Sequence, residues 1–448
     1  MKYGQYRGKW KSLLSSKRFV DDDSKIRLKE PAPLEGRSPF EADIGRAIFS
    51  QPFRRLAGKT QVHPFAAVDY IHNRLTHSIE AGHVSRALGR SIAMFIMKER
   101  GDIVSDDAVR AIGWICQAAG LMHDIGNPPY GHAGEDAIRA WAAQNEKDLK
   151  KICGGKVADD FKYFDGNAQA FRMASRPGLR ETCYFRLTSA SLGALVKYPY
   201  YTGSVNGKKG KSAAFSCEEE IFDAVWKELG LGKEVRHPLS YVTEAADDIC
   251  YRINDFEDAV LMGLLDEDEV REMLMDGMPF EQKCQLKNGN ASLPRVKALT
   301  IGALILEFAN VFKANYEAIM EGKFKKDLKS KIGDKWGGVL ARIKEKYDLI
   351  FSERKKVVSE IGAFGQIASV LDKYKSLLEE MSRQGKEGMR KYEELSFLSQ
   401  RLITLAWGGR QYYEKNISRP MDWWGHAVLD FVVGMTDEYL HKCATEFL

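Results

Sequence analysis

Apolar side chains recur at three- and four-residue steps along most of this chain, and alternating, strand-like runs are scarce. After Ser78 the set Val84, Ala87, Leu88, Ile92, Phe95 and Ile96 falls on one face of a helix. Ser105, followed by Asp106 and Asp107, supplies an N-cap and an acidic first turn for a second helix bearing Val109, Ile112 and Cys116. That helix is expected to end near Asp124, because Gly126 and the Pro128–Pro129 pair cannot continue it. A third helix is expected from Pro238, with the stripe Val242, Ala245, Ala246, Ile249, Ile253, Phe256 and Val260. Ala213–Cys217 is a weak strand candidate beside the Gly-rich stretch 203–210, which reads as a loop or hairpin. From about Val296 onward the pattern is helical again. The Lys- and Glu-rich run between Lys323 and Lys391 reads as a solvated face. The predicted fold class is all-α with a small β-hairpin or loop insertion.

Composition changes this picture little. The chain has 448 residues, 44% hydrophobic and 29% charged, as in ordinary globular proteins, and a net charge of +5. That balance permits an anionic substrate without requiring nucleic acid; the basic and aromatic N-terminus leaves a single-stranded nucleic acid open as a partner. The seven cysteines form no CxxC pair, which fits reduced thiols. The longest apolar stretches, such as Ile92–Met97, are too short to span a bilayer, so no membrane partner and a cytoplasmic location are expected.

Candidate chemistry gathers at a few points. His123 and Asp124 sit where the second helix should stop, immediately before the turn Gly126–Gly131, where neighbouring side chains can enter one cavity. Imidazole nitrogen with carboxylate oxygen suits Zn, Mn, Fe, Ni or Co, with Mg when phosphate oxygens complete the shell. Arg74 and His77 are spaced i, i+3 and share a helix face, so a metal ligand and a guanidinium could reach one polyphosphate. His83 is rotated roughly 120° from His77 at ~100° per residue and reads as a packing or surface histidine; His63, His72, His237, His426 and His441 take the same reading. Asp247, Tyr251 and Asp255 form a stripe along the third helix, while Asp248 projects elsewhere. His132 and Glu135 can share a proton if a helix restarts there, as general acid–base work on a water requires.

These residues resemble the HD phosphohydrolase superfamily, with its H…HD…D signature. Longer stretches are similar to the dGTPase-like deoxynucleoside triphosphate triphosphohydrolases: Arg74-Leu75-Thr76-His77-Ser78, Gly120-Leu121-Met122-His123-Asp124-Ile125-Gly126-Asn127-Pro128-Pro129-Tyr130-Gly131-His132 and Glu244-Ala245-Ala246-Asp247-Asp248-Ile249. Phe53-Arg54-Arg55-Leu56, Lys59-Thr60-Gln61-Val62, Asp165-Gly166-Asn167-Ala168-Gln169 and the late Gly434-Met435-Thr436-Asp437 also match. The resemblance is dense over about residues 40–260. It implies an N-terminal extension (1–39), an HD core (40–270) and a C-terminal helical region (271–448) completing the nucleotide pocket and oligomer contacts. It further implies hydrolysis of a dNTP, dGTP favoured, to deoxynucleoside and inorganic triphosphate by water attack at the α-phosphate. By the resemblance, His77, His123, Asp124 and Asp247 would hold a divalent metal, and His132 and Glu135 would be catalytic. Arg74, Lys197, Tyr198, Lys211 and Asn167 would lie at the phosphates, and Gln61, Val62, Tyr251 and Asp255 at the sugar, Tyr251 closing the space of a 2′-hydroxyl. A homo-oligomer, such as a hexamer, is also implied. The alternatives are another HD phosphohydrolase, a nucleotidase or phosphodiesterase, or a nucleotide- or nucleic-acid-sensing protein with weak turnover.

Overall fold

A computed structural model of the chain describes residues 3–22, 25–32, 36–63, 70–176, 185–288, 291–382 and 389–446. Helices dominate it, and the only sheet among the described residues is an antiparallel hairpin, Arg18–Asp22 paired with Lys25–Lys29. The β element thus lies near the N-terminus. Residues 213–217 make no strand. They contribute one bridge, Ala214 to Tyr201, and a short 3-10 turn, Ser216–Glu218. No helix is long and apolar enough to cross a membrane.

The chain divides into two compact units, each built from three stretches: Met1–Ile125, Ala170–Pro199 and Ile221–Val357 in one, and Gly126–Gln169, Tyr200–Glu220 and Val358–Leu448 in the other.

In the first unit, helix Arg74–Phe95 packs against helices Asp106–Met122 and Ser240–Leu261. Asn73 caps the first of these: its side chain accepts from the Leu75 and Thr76 amides, and Thr76 bonds back to the Asn73 amide. Ser105 caps the second by accepting from Ala108 N–H. The third starts at Ser240, two residues beyond Pro238. The predicted stripe Val84, Leu88, Ile92 and Ile96 is buried, as are Ile112 and Cys116 opposite it. Each such side chain contributes roughly 1.5–3 kcal/mol by leaving water.

The second unit has its own core. Ile138, Trp141 and Ala142 from helix His132–Gln144 pack in one cluster with Ile367, Leu371, Tyr374, Leu378, Trp424 and Val428. The charge run of the C-terminal region has a buried side as well as a solvated one: Ile343, Tyr374 and Leu377 are fully or almost fully buried within it.

Candidate active site

Close helix packing sets the metal-type centre. A Cβ at Gly120 would lie 2.6 Å from Ser85 Oγ and 2.9 Å from the Ala81 carbonyl oxygen, so glycine there lets the His77 and His123 helices approach. The two imidazoles meet edge to face, 5.1 Å between centroids. His77 Nε2 lies 3.2 Å from His123 Nε2 and 3.2 Å from Asp247 Oδ1, and His123 Nε2 lies 3.4 Å from the same oxygen. Three ligand-type atoms therefore converge on one point.

Asp124 stands at the edge of this trio. Its Oδ1 is 3.6 Å from His123 Nε2, while Oδ2 takes a 2.5 Å bond from Arg74. Asp248 turns away to Arg252 and Lys329, and His83 is exposed.

The donor set fits a divalent cation. His123 Nδ1 lies 2.7 Å from the Gly120 carbonyl, which directs its proton there and turns the Nε2 lone pair inward. Burial alone would lower the His123 pKa, but Asp124 and Asp247 overcome it and push the imidazole up to about 9. Burial likewise works to raise Asp124, yet Arg74, His123 and His77 bring it down to about 2. Asp247 is also held well below the ordinary carboxylate range, its burial outweighed by His123 and His77. This cluster calls for positive charge between its carboxylates, which a metal ion supplies.

Farther along the Ser240–Leu261 helix, Asp255 is buried and Tyr251 partly so. Asp255 Oδ2 and Gln61 Oε1 are both buried without a protein partner. Burial, with Asp258 and Asp247 nearby, drives the Asp255 carboxyl well above its usual range, towards the neutral acid that can donate a hydrogen bond. Val62 is buried beside Gln61. The start of the His77 helix pins their turn: Thr60 bridges to Asn73, and Arg74 N–H donates to the Lys59 carbonyl at 3.1 Å. Lys197 Nζ lies 3.2 Å from Glu244, one turn before Asp247, and over the Tyr198 ring. Burial opposes its charge, but Glu244 more than compensates and raises the ammonium pKa.

Sequence reasoning passed over two groups here. His63, read as bland, is buried with neither ring nitrogen paired, and the buried Tyr347 hydroxyl is also unpaired. Tyr347 packs on Tyr251 and Phe256. Its signal was the i, i+4 pair with Phe351 inside the charged run.

In the second unit, His132 Nδ1 lies 2.8 Å from Glu135 Oε2; the His132 side chain is 89% exposed and that of Glu135 only 9%. Glu135 Oε1 accepts from Gly166 N–H at 2.7 Å, so a buried carboxylate orients an open imidazole. The helix start is cramped: a Cβ on Gly134 would meet the Pro129 carbonyl oxygen at 2.0 Å. Just before it, Tyr130 adopts φ 61°, a strained backbone for a non-glycine residue, held by its N–H on Asp437 Oδ1 at 2.9 Å. That contact gives the late Gly434–Asp437 motif a physical role. Asn167 donates from its backbone and side chain to Asp165 Oδ1, and Asp165 Oδ2 accepts from Ser212 N–H, next to the exposed Lys211. Burial and nearby Glu135 raise the Asp165 pKa.

No family model matches the chain. Curated relatives do, over nearly its whole length. A Pseudomonas aeruginosa protein named deoxyguanosinetriphosphate triphosphohydrolase-like protein is 32% identical over 433 residues, covering 92% of this chain and 93% of the relative. A Listeria monocytogenes protein of the same name is 32% identical, covering 96% and 97%. The chain belongs to the deoxyguanosinetriphosphate triphosphohydrolase-like family. It is accordingly a hydrolase acting on phosphoric ester bonds. A Serratia proteamaculans relative named deoxyguanosinetriphosphate triphosphohydrolase is 27% identical, covering 94% of this chain and 97% of its own. The family's HD-type resemblance and the all-helical fold point the same way.

Proposed function

We propose that this chain is a metal-dependent triphosphohydrolase that converts a dNTP, with dGTP favoured, to deoxynucleoside and inorganic triphosphate. The observation that carries this reading is the Ser240–Leu261 helix. Asp247 joins two imidazoles at one end, and two turns later Asp255 keeps a buried oxygen without a protein partner. The span is about 12 Å at ~1.5 Å per residue, the scale from an α-phosphate to a sugar hydroxyl. Gln61 Oε1, equally unpaired, supplies a second group for the 3′-hydroxyl. Tyr251 between them fits a wall against a 2′-hydroxyl.

A divalent cation held by His77, His123, Asp124 and Asp247 would withdraw charge from the phosphate oxygens. Mn, Fe, Co, Ni or Zn suits the two imidazoles, and Mg suits the set once phosphate oxygens join. Arg74, now bound to Asp124, and Lys197 with Tyr198 are the phosphate-binding candidates; Asn167 and Lys211 are assigned the same task. Glu135 fixes His132 through Nδ1, leaving the exposed Nε2 edge to move a proton on the attacking water or the leaving 5′-oxygen.

The test is product analysis on the four dNTPs and GTP with Mg, Mn and Co. Inorganic triphosphate and deoxynucleoside are expected, with little turnover of GTP. Release of pyrophosphate or a monophosphate instead would overturn the proposal in favour of another HD phosphohydrolase.

A further inference from the structure

We infer that the second unit holds a separate zinc-type metal site, formed by Cys217, His426 and Asp160. Asp160 comes from helix Gly155–Lys162, Cys217 from the turn Ser216–Glu218, and His426 from helix Met421–Val433. The three ligand atoms lie within 4.8 Å of one another. His426 Nε2 is 2.9 Å from Asp160 Oδ2 and 3.2 Å from Cys217 Sγ.

The orientation of His426 argues for a cation. Its Nδ1 sits 3.0 Å from the Asp422 carbonyl oxygen, which accepts the proton of that nitrogen. In the neutral ring Nε2 then presents a lone pair, and it faces a carboxylate oxygen and a sulfur together. Two lone pairs at hydrogen-bonding distance repel unless a proton or a metal ion lies between them. A histidine whose far nitrogen is fixed by a backbone carbonyl is the usual arrangement of a metal ligand, and His123 is held in the same way by Gly120. Asp160 is also prepared: Oδ1 is occupied by the Thr202 hydroxyl and by Ser216 N–H at 2.7 Å, which aims Oδ2 at the imidazole. Both Asp160 and His426 are almost wholly buried, so their placement is fixed by packing rather than by a solvated surface.

The ligand chemistry selects the ion. A thiolate with an imidazole and a carboxylate favours zinc over magnesium or manganese. Binding forms a zinc–sulfur bond and breaks the S–H bond, the proton leaving to solvent; thiolate and carboxylate then balance the dication. Three protein ligands leave the fourth position to water. The ion would tie two helices and a turn together within this unit.

Cobalt distinguishes this site from the first, because the His77–His123–Asp247 centre has no sulfur. Full-length protein stripped with chelator and loaded with cobalt is expected to show a near-ultraviolet sulfur-to-cobalt charge-transfer band. Asp247→Ala should retain the band, while Cys217→Ser should lose it and bind one zinc equivalent fewer per chain. Zinc should raise the melting temperature of the Asp247→Ala protein and leave that of the doubly substituted Asp247→Ala/Cys217→Ser protein unchanged. A wild-type protein that binds cobalt without the band, or a band that survives Cys217→Ser, would overturn the inference and leave a buried His426–Asp160 contact. Loss of triphosphate release alone bears on the proposed reaction and not on this site.

Discussion

His132 and Asp247 belong to different parts of the proposed chemistry, so their substitutions should separate. His132→Ala removes an exposed imidazole whose partner, Glu135, stays anchored to Gly166, and it leaves the metal-type trio untouched. Turnover should fall by roughly 10²–10⁴-fold, the usual worth of a general acid or base, with metal content by elemental analysis unchanged. Asp247→Ala removes the oxygen that both imidazoles face, and it should lose bound metal as well as activity. On the proposed role of Tyr251, Tyr251→Ala would open space beside the sugar, so GTP should become a better substrate relative to dGTP by about tenfold or more, read as the ratio of kcat/KM values. His132 and Asp247 were legible in the sequence because each sits in a contiguous motif, and Tyr251 because it continues the stripe of Asp247 one turn on. His426 and Tyr347 were not. The partners that give them meaning, Asp160 with Cys217 and Tyr251 with Phe256, lie far away along the chain, and periodicity carries no information about such pairings.

Three helices carry the metal-type centre, and their spacing is as consequential as their ligands. Gly120→Val would drive a branched side chain against the Ala81 carbonyl and Ser85. It should cost about 1–3 kcal/mol in denaturant unfolding, as overpacking generally does, and weaken metal binding by separating His77 from His123. A second contact fixes the start of the His77 helix. His72 N–H donates to Asp258 Oδ2 at 3.1 Å, and its Nδ1 lies 2.7 Å from Oδ1 of that carboxylate, joining the helix start to the Ser240–Leu261 helix. Burial opposes a charged His72, but hydrogen bonds with Asp258 and Glu80 prevail and lift it to about 10, against ~6.5 in an unfolded chain. A raised folded-state value gives stability that is complete below about pH 6.5 and lost as pH climbs through about 10. The gap in melting temperature between wild type and His72→Gln should therefore be widest near pH 6 and close towards pH 10. At this scale the sequence was most readable. The Ser105 cap and the Gly126 and Pro128–Pro129 breakers marked the second helix, and periodicity the first. In the 18–29 hairpin, by contrast, only the five residues Lys25–Lys29 alternate, too short a run beside Arg18–Asp22 to announce it, and residues 213–217 spent their backbone bonds on residues 200–202 and Asp160.

The chain passes three times through each of two compact units, and the second owes its core to widely separated stretches. Helix His132–Gln144 buries Ile138 and Trp141 against Leu371 and Leu378, so Leu378→Ala should destabilise that unit by about 2–5 kcal/mol. Hydrogen exchange should then quicken in residues 126–169 before it does in the Arg74–Phe95 helix. The same chain path orders events during synthesis. Every residue of the metal-type centre has been synthesised once Asp247 is made, and the first unit is complete at Val357. The helix bearing His132 has to wait for its packing partners, which run as late as Cys443 and Ala444. In the proposed reaction, a nascent chain would thus gather its metal-type trio long before the His132–Glu135 pair has a rigid foundation, so hydrolysis would wait until translation is nearly finished.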